Sequence, residues 1–390
     1  MAECVLSTQN RFYVESEPNY GTVPAISASK RIPAIRLRAR QEVETRARRD
    51  KIGGRTYAGV SPGSRKRTEF SLQTYLVSNV TPSSPPAMGP LVQAALGASP
   101  AVFTGRTAGS GSGMSQIVFS SSHGLVKGQA FGFNGELRFV DAVVSGTAVQ
   151  VNAPFAAAPT LGQALTGAVT YFPADALPSV SIFDYWDPVG AVDRILAGGS
   201  CNRLQVRVNA DYHELEFSGE AQDILDTVSF SPGQGGLSSF PVEPTVSGNT
   251  GLPIPGNLGQ AWLGTPANKF LTVTSAFVEV DNDVDLRSRE FGTQTPQCVT
   301  AGTRRVTANF ELYEVDDAAT RGLYAAARSE TPVAVMFQLG QAGGQLMGVY
   351  MPKVVPRVPE FSDGERILRW DFGNSRAQGS NNDDVAVAFG

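Results

Sequence analysis

Residues 35–48 read IRLRARQEVETRAR, and the far half of that stretch has a second version late in the chain, residues 283–289, DVDLRSR. Laid together, Glu42-Val43-Glu44-Thr45-Arg46-Ala47-Arg48 and Asp283-Val284-Asp285-Leu286-Arg287-Ser288-Arg289 share one order: acid, valine, acid, any residue, arginine, small residue, arginine. Chance rarely produces that over seven consecutive positions. Both neighbourhoods alternate with a period of two, the mark of a strand with one apolar and one charged face. Ile35, Leu37, Ala39 and Val43 fall on one side of the first, opposite Arg36, Arg38, Arg40, Glu42, Glu44, Arg46 and Arg48. In the second, Ala276, Val278, Val280, Val284 and Leu286 oppose Glu279, Asp281, Asp283, Asp285, Arg287 and Arg289. A single strand of this kind is a solvated edge, whereas two suggest a charged wall.

A second pair of segments supports duplication. Phe70 and Leu72, with Leu76, face away from Glu69, Ser71 and Gln73, and residues 308–313, ANFELY, place Phe310 and Leu312 two apart in the same way. Glu42 to Asp283 is an offset of 241 and Phe70 to Phe310 one of 240, which predicts an internal repeat. The short helix candidate at 89–98, GPLVQAALGA, is echoed by GLYAAAR at 322–328. Later runs pair likewise, SVSIF (179–183) with VAVMF (333–337) and ELEFSG (214–219) with LRWDFG (368–373).

Composition sets the class. Hydrophobic content of 42% with 17% charged residues indicates folded protein, and 41 Gly with 25 Pro point to many turns and mainly β structure. A formal net charge of -4 gives the whole chain no electrostatic attraction to nucleic acid or anionic membrane. Three widely separated cysteines, Cys4, Cys201 and Cys298, argue against a disulfide framework and for folding in a reducing cytoplasm. No apolar run approaches transmembrane length, and MAECVLSTQN lacks the pattern of a signal peptide.

In chain order, residues 1–30 are polar and aperiodic and are expected to form an extended N-terminal arm that lies on a neighbour or frays. The basic, glycine-punctuated stretch 46–66 is expected to form a long hairpin tip, touching DNA or an adjacent subunit or simply solvated. Segment 99–177 has no partner in the second half, and its small residues and hairpin-spaced runs predict a small inserted β-barrel on the exterior. The first repeat then covers 31–98 and 178–227, a Pro/Gly-rich linker covers 228–269, and the second repeat with a C-terminal tail covers 270–390. The tail's final apolar stretch either adds a strand to a neighbour or folds back.

Catalytic signals are weak. His123 and His213 lack metal-ligand spacing to other His, Cys or carboxylates. Asp184 and Asp187 flank Tyr185 and Trp186, a pair of carboxylates that a glycoside hydrolase could use, yet an acid before Pro188 is common turn chemistry. GSGSG at 109–113 lacks the lysine and helix of a phosphate loop. The expectation is a protein that is not an enzyme, with no cofactor and no metal.

An arm containing ESEPNYGT, the charged strand, the basic hairpin, RTEFSLQTYL, GPLVQAALGA and ELEFSG together resemble major tail tube proteins of long-tailed, siphovirus-like bacteriophages. The resemblance covers roughly 30–98, 178–225 and 270–373. It implies two tail-tube-like β-sandwich or barrel repeats, each with a short helix, plus the inserted module. It also implies a structural virion protein of the tail, assembled in the host cytoplasm, whose stacked rings form a conduit for DNA ejection. Family rings usually hold six copies of one fold, so a duplicated chain implies a homotrimeric ring, with six chains as the alternative. Partners implied are further copies of the chain, the tape measure protein, transiently viral DNA, and the tail terminator and tail-tip proteins, with no membrane. Eight strands tilted about 40° close at a diameter near 16 Å, whereas about 24 strands give near 48 Å, enough for duplex DNA. Glu42, Glu44, Glu69, Asp283, Asp285 and Glu311 are the lumen-lining candidates, because carboxylates repel phosphates that arginines would hold. Arg46, Arg48, Arg49, Arg287 and Arg289 are the candidates for contacts between rings. Charge pattern alone also fits faces turned to bulk solvent. A tail-tip, baseplate or receptor-binding component is the alternative function, and a capsid decoration protein a weaker one.

Overall fold

The computed structural model describes residues 4–45, 50–57, 59, 63–79, 81–209, 211–246, 251–364 and 366–390. The chain is mainly β. Its first half runs β1 (Asn10–Ser16), β2 (Arg31–Ile32), β3 (Ala34–Val43), β4 (Lys66–Tyr75) and α1 (Gly89–Leu96). A module follows, with β5 (Ala101–Phe103), β6 (Arg106–Thr107), β7 (Gln116–Val118), β8 (Ala130–Phe133), β9 (Glu136–Ser145), β10 (Ala148–Val151), β11 (Ala164–Leu165) and β12 (Ala168–Tyr171). The first half resumes with β13 (Val180–Trp186), β14 (Arg194–Val208), β15 (Glu214–Ala221) and β16 (Asp223–Asp226). The second half contains β17 (Gly259–Leu263), β18 (Asn268–Phe270), β19 (Val273–Asp281), β20 (Asp285–Arg287), β21 (Cys298–Thr300) and β22 (Arg305–Tyr313). It ends with α2 (Ala318–Arg328), β23 (Val333–Leu339), β24 (Met347–Val355), β25 (Glu360–Ser362), β26 (Arg369–Ala377) and β27 (Ala386–Phe389).

The halves share one connectivity. In the first, β1 pairs with β2 and β13, β13 with β14, β14 with β15 and β16, and β4 with β3 and β15. In the second, β17 pairs with β18 and β23, β23 with β24, β24 with β26 and β27, and β22 with β19 and β26. The seven-residue likeness is nevertheless not a structural equivalence. Glu42 sits in extended β3, whereas Asp283 has φ 49° in a kink after β19, and β20 forms a separate two-stranded ribbon with β21. Ala39 faces Phe70 and Ala276 faces Phe310, so equating the phenylalanines relates the first strands by 237 residues rather than 241.

Several boundaries differ from expectation. The N-terminal segment is no free arm: β1 is a strand of the fold, with Phe12, Tyr13 and Val14 buried. Just after it, buried Glu17 accepts hydrogen bonds from Gly21 N, Gly198 N, Ser179 Oγ and Ser181 Oγ at 2.6–2.7 Å. The expected linker ends early, because β17 and β18 open the second half and bury Trp262, Leu263 and Phe270. Its upstream part packs Leu237 and Phe240 on a core of Tyr13, Phe183 and Tyr185, and Glu243 holds Arg11 at 2.5 Å. The apolar end of the tail folds back as β27 between β12 and β24 of its own chain. Ile35 and Val43 are exposed, Ile35 because a bulge between Ala34 and Arg36 breaks the alternation. The helix starts are explained by local chemistry: Pro90 sits in the first turn of α1, and Asp317 caps α2 by accepting from Thr320 N at 2.6 Å.

The module's self-contained part is narrower than 99–177, since β5 and β12 extend the second half's sheet through β27. Between them lies a four-stranded sheet, β7-β10-β9-β8, and a two-stranded ribbon, β6 with β11. Bridges Ala108–Phe119 and Gly132–Thr166 join the ribbon to both edges, so the strands run round a ring packed with Phe103, Phe119, Phe131, Phe133 and Phe155. Arg138 fixes the module to the second half. Fully buried, it pairs with Glu136 at 2.7 Å, donates to the carbonyls of Leu137 and Pro154 and to Gln260 and Gln338, and lies 5.0 Å from the Trp262 ring. Burial pushes its pKa down while Glu136 pushes it up. Removing one partner of such a pair leaves a buried, uncompensated charge. Arg138→Ala is therefore expected to cost about 3–5 kcal/mol in chemical denaturation, whereas truncation of an exposed ion-pairing arginine such as Arg207 costs about 1 kcal/mol or less.

Candidate assembly surface

Within the connected system of nineteen strands, one run is continuous and antiparallel across both halves: β3-β4-β15-β14-β19-β22-β26-β25. The halves meet where β14 pairs with β19, from Arg203 opposite Asp281 to Val208 opposite Ala276. One face of this sheet is mostly apolar, with Leu37, Phe70, Leu72, Phe217, Leu204, Val278, Phe310, Leu312 and Phe372 packed in a core shared by both halves, and with the buried Thr68 and Thr74 of β4 among them. Period-two alternation then sends the intervening residues to the opposite face.

That opposite face is dense in charge. Glu42, Glu69, Glu214, Glu216, Glu220, Glu279, Asp281, Glu311, Glu360 and Asp371 lie on it, with Arg36, Arg38, Arg40, Arg67, Arg203, Arg207, Arg305, Arg369 and Arg376. Ten carboxylates against nine guanidinium groups make it close to balanced rather than acidic. The pairs run mostly across strands: Arg67–Glu220 at 2.6 Å, Arg203–Glu279 and Arg203–Asp281 at 3.6 Å, Arg305–Asp281 at 3.4 Å and Arg207–Glu216 at 3.7 Å. Glu220 raises the pKa of Arg67 further through its hydrogen bond. Each exposed pair contributes about 0–1 kcal/mol, so their joint effect is on the field of the face more than on stability.

The candidates from sequence divide into three groups. Glu42, Glu69 and Glu311 lie on the charged face, each beside an arginine: Arg40 at 2.5 Å, Arg67 at 3.1 Å and Arg369 at 3.6 Å respectively. Glu44, Asp285, Arg287 and Arg289 are gathered with Glu42 at one end of the sheet, around an open cleft of about 870 Å³ between the β3–β4 tip and the β20 segment. There Arg65 donates to the Arg289 carbonyl at 3.0 Å, Lys66 N donates to the Gln294 carbonyl at 2.8 Å, and Arg287 pairs with Glu290 at 2.6 Å. Asp283 stands apart in its kink, and Arg46, Arg48 and Arg49 lie outside the described residues.

The residues missed by sequence reasoning are those of β14, β15 and β26. Their alternation was visible, but only strand pairing brings Arg203, Arg207, Glu216 and Asp371 onto the same face as β3. Of the groups with possible chemistry, His123 donates from Nε2 to the Ser145 carbonyl and His213 to the Leu258 carbonyl. Asp184 is engaged by Arg194 at 2.6 Å and Asp187 by Arg11 at 2.5 Å. Among the described residues no cluster of His, Cys, Asp or Glu could hold a metal, and no helix is long and apolar enough to cross a membrane. A scan against protein-family models finds no match for the chain, and a search of curated proteins finds none.

Burial, reinforced by Glu311 and Glu360, holds the Asp371 carboxyl above its ordinary pKa. The sign follows: Asp371 leaves stability untouched at low pH and subtracts from it as pH rises past the ordinary carboxylate value. Glu311→Gln is expected to lower the Asp371 pKa and flatten that loss, which carboxyl NMR titration alongside urea melts at several pH values measures.

Proposed function

We propose that this chain is a structural protein that polymerises through its continuous sheet into stacked rings, forming the tail tube of a long-tailed phage and a conduit for DNA. The supporting observation is the eight-stranded sheet that crosses both halves with one apolar and one charged face. An even number of alternating strands lets β25 of one copy meet β3 of the next without breaking the antiparallel order. Three copies then supply twenty-four strands, for which the closed diameter is about 48 Å. With the charged face inward, a duplex about 20 Å across passes with water around it.

Pre-formed ion pairs suit such a passage. An arginine already held by a carboxylate gains little from a phosphate, so the counterion release that anchors DNA to basic surfaces is largely suppressed. The cleft that gathers Glu44, Arg287 and Arg289 at one end of the sheet is where an adjacent ring would sit. Further copies, a tape measure protein in the lumen and terminator and tip proteins at the ends are the partners of this reading.

The ring-like module with its own aromatic core favours a second reading, a tail-tip or receptor-binding component. The two differ in where assembly stops. Negative-stain microscopy of the purified chain is expected to reveal stacked rings or tubes with a central channel. A single ring that never stacks supports the tip component, and a solitary particle at every concentration and salt overturns both.

A further inference from the structure

Opposite edges of the charged sheet carry unlike clusters, a basic one on β3 and, away from Arg376 of β26, an acidic one at the far side. On β3, the outermost strand at one side, Arg36 and Arg38 are exposed and have no ion-pair partner among the described residues, while Arg40 is held by Glu42 at 2.5 Å. At the far side Glu311, Asp371 and Glu360 stand on neighbouring strands, Glu311 opposite Asp371 and Asp371 opposite Glu360. Arg369 offsets Glu311 at 3.6 Å, which leaves Asp371 and Glu360 without a cation among the described residues. Burial, with that like-charge crowding added to it, raises the Asp371 pKa.

We infer that the β3 edge of one copy seats against the β25–β26 edge of a second copy, with Arg36 and Arg38 supplying the cations that Asp371 and Glu360 lack. This rests on the assembly proposed above and adds its polarity: the contact is heterologous, edge to opposite edge, and so propagates round a ring instead of closing a dimer. Charges along an outer strand can also serve to keep strands of other molecules away. That purpose is met by one sign on both edges, which repels, whereas opposite signs attract and select a single orientation. Seating the arginines also removes the unpaired cations of the wall, the groups that would otherwise hold a passing phosphate. β25 covers Arg369–Asp371 of β26 and β24 covers Arg376 and Ala377, so the strand that meets the ten-residue β3 of a neighbour is β25, with Asp371 one strand behind it.

The test compares four full-length chains by light scattering and microscopy across salt concentration: the unaltered chain, R36E/R38E, E360R/D371R, and the chain with all four changes. Each two-site variant places like charges across the seam and is expected to weaken assembly on the order of tenfold or more, and the four-site variant to restore it. Assembly of the unaltered chain is expected to weaken as salt rises. Circular dichroism and melting check that each variant folds, and R36Q/R38Q, which only neutralises, serves if a charge reversal does not fold. If the unaltered chain forms rings and the two-site variants form them equally well, the edge assignment is overturned while the assembly reading stands. If the four-site variant stays as weak as the two-site variants, the pairing of these particular groups is overturned. If the unaltered chain stays solitary in every condition, the assembly reading falls and the edge assignment with it.

Discussion

The molecule depends on the ladder between β14 and β19. Six consecutive residues of β14, Arg203 to Val208, face Asp281 to Ala276, and through them two similar halves become one sheet with one core. β14 can do this because it serves two sheets in turn. Its first part pairs with β13 and β16, and its second with β15 and β19. The change of sheet comes at Gly198 and Gly199. Gly198 has φ 66°, and a Cβ there would come within 2.5 Å of the Gln222 side chain, while one on Gly199 would meet the Val180 carbonyl at 2.8 Å. Only glycine permits that turn at that distance.

Merging the halves dictates what the charged face becomes. With the halves apart, each would present its own outer strands and its own unpaired charges. Joined, Arg203 lies between Glu279 and Asp281 of the other half, and the field of the face is neutralised locally. The module is tied to the same scaffold by a different kind of contact, a buried charge saturated with hydrogen bonds at Arg138 and a stacked Phe139–Tyr350 pair at 5.1 Å. Buried polar networks of this sort hold one orientation, because any other leaves a charge in low dielectric. The proposed conduit uses both properties, a near-neutral wall and a module that keeps its place.

Much of the fold could be read from alternation. β4 and β22 were legible because Phe70-x-Leu72 and Phe310-x-Leu312 are flanked by polar residues at every second position, and both helices through the small apolar runs at 89–98 and 322–328, the second helix beginning earlier, at Ala318. β1 and β17 were not, since a seven-residue and a five-residue strand inside Pro- and Gly-rich surroundings carry too few turns of the pattern. β27 was ambiguous for a related reason. AVAF is apolar at every position, as a strand covered on both faces must be, and nothing in it names its partners.

The seven-residue likeness of residues 42–48 and 283–289 pointed to two related halves, yet its two members occupy different conformations, which the left-handed Asp283 makes plain. By itself, then, the sequence determined the class, the periodicity of the main strands, and the presence on them of charged residues at alternate positions, because these depend on local backbone geometry. Tertiary structure alone decided which strands are neighbours, that carboxylates and guanidinium groups from distant segments neutralise each other, and that opposite edges carry a basic and an acidic cluster. Those properties depend on which residues share a rung of the ladder, and pairing between segments far apart in the chain leaves no periodic trace in any one of them.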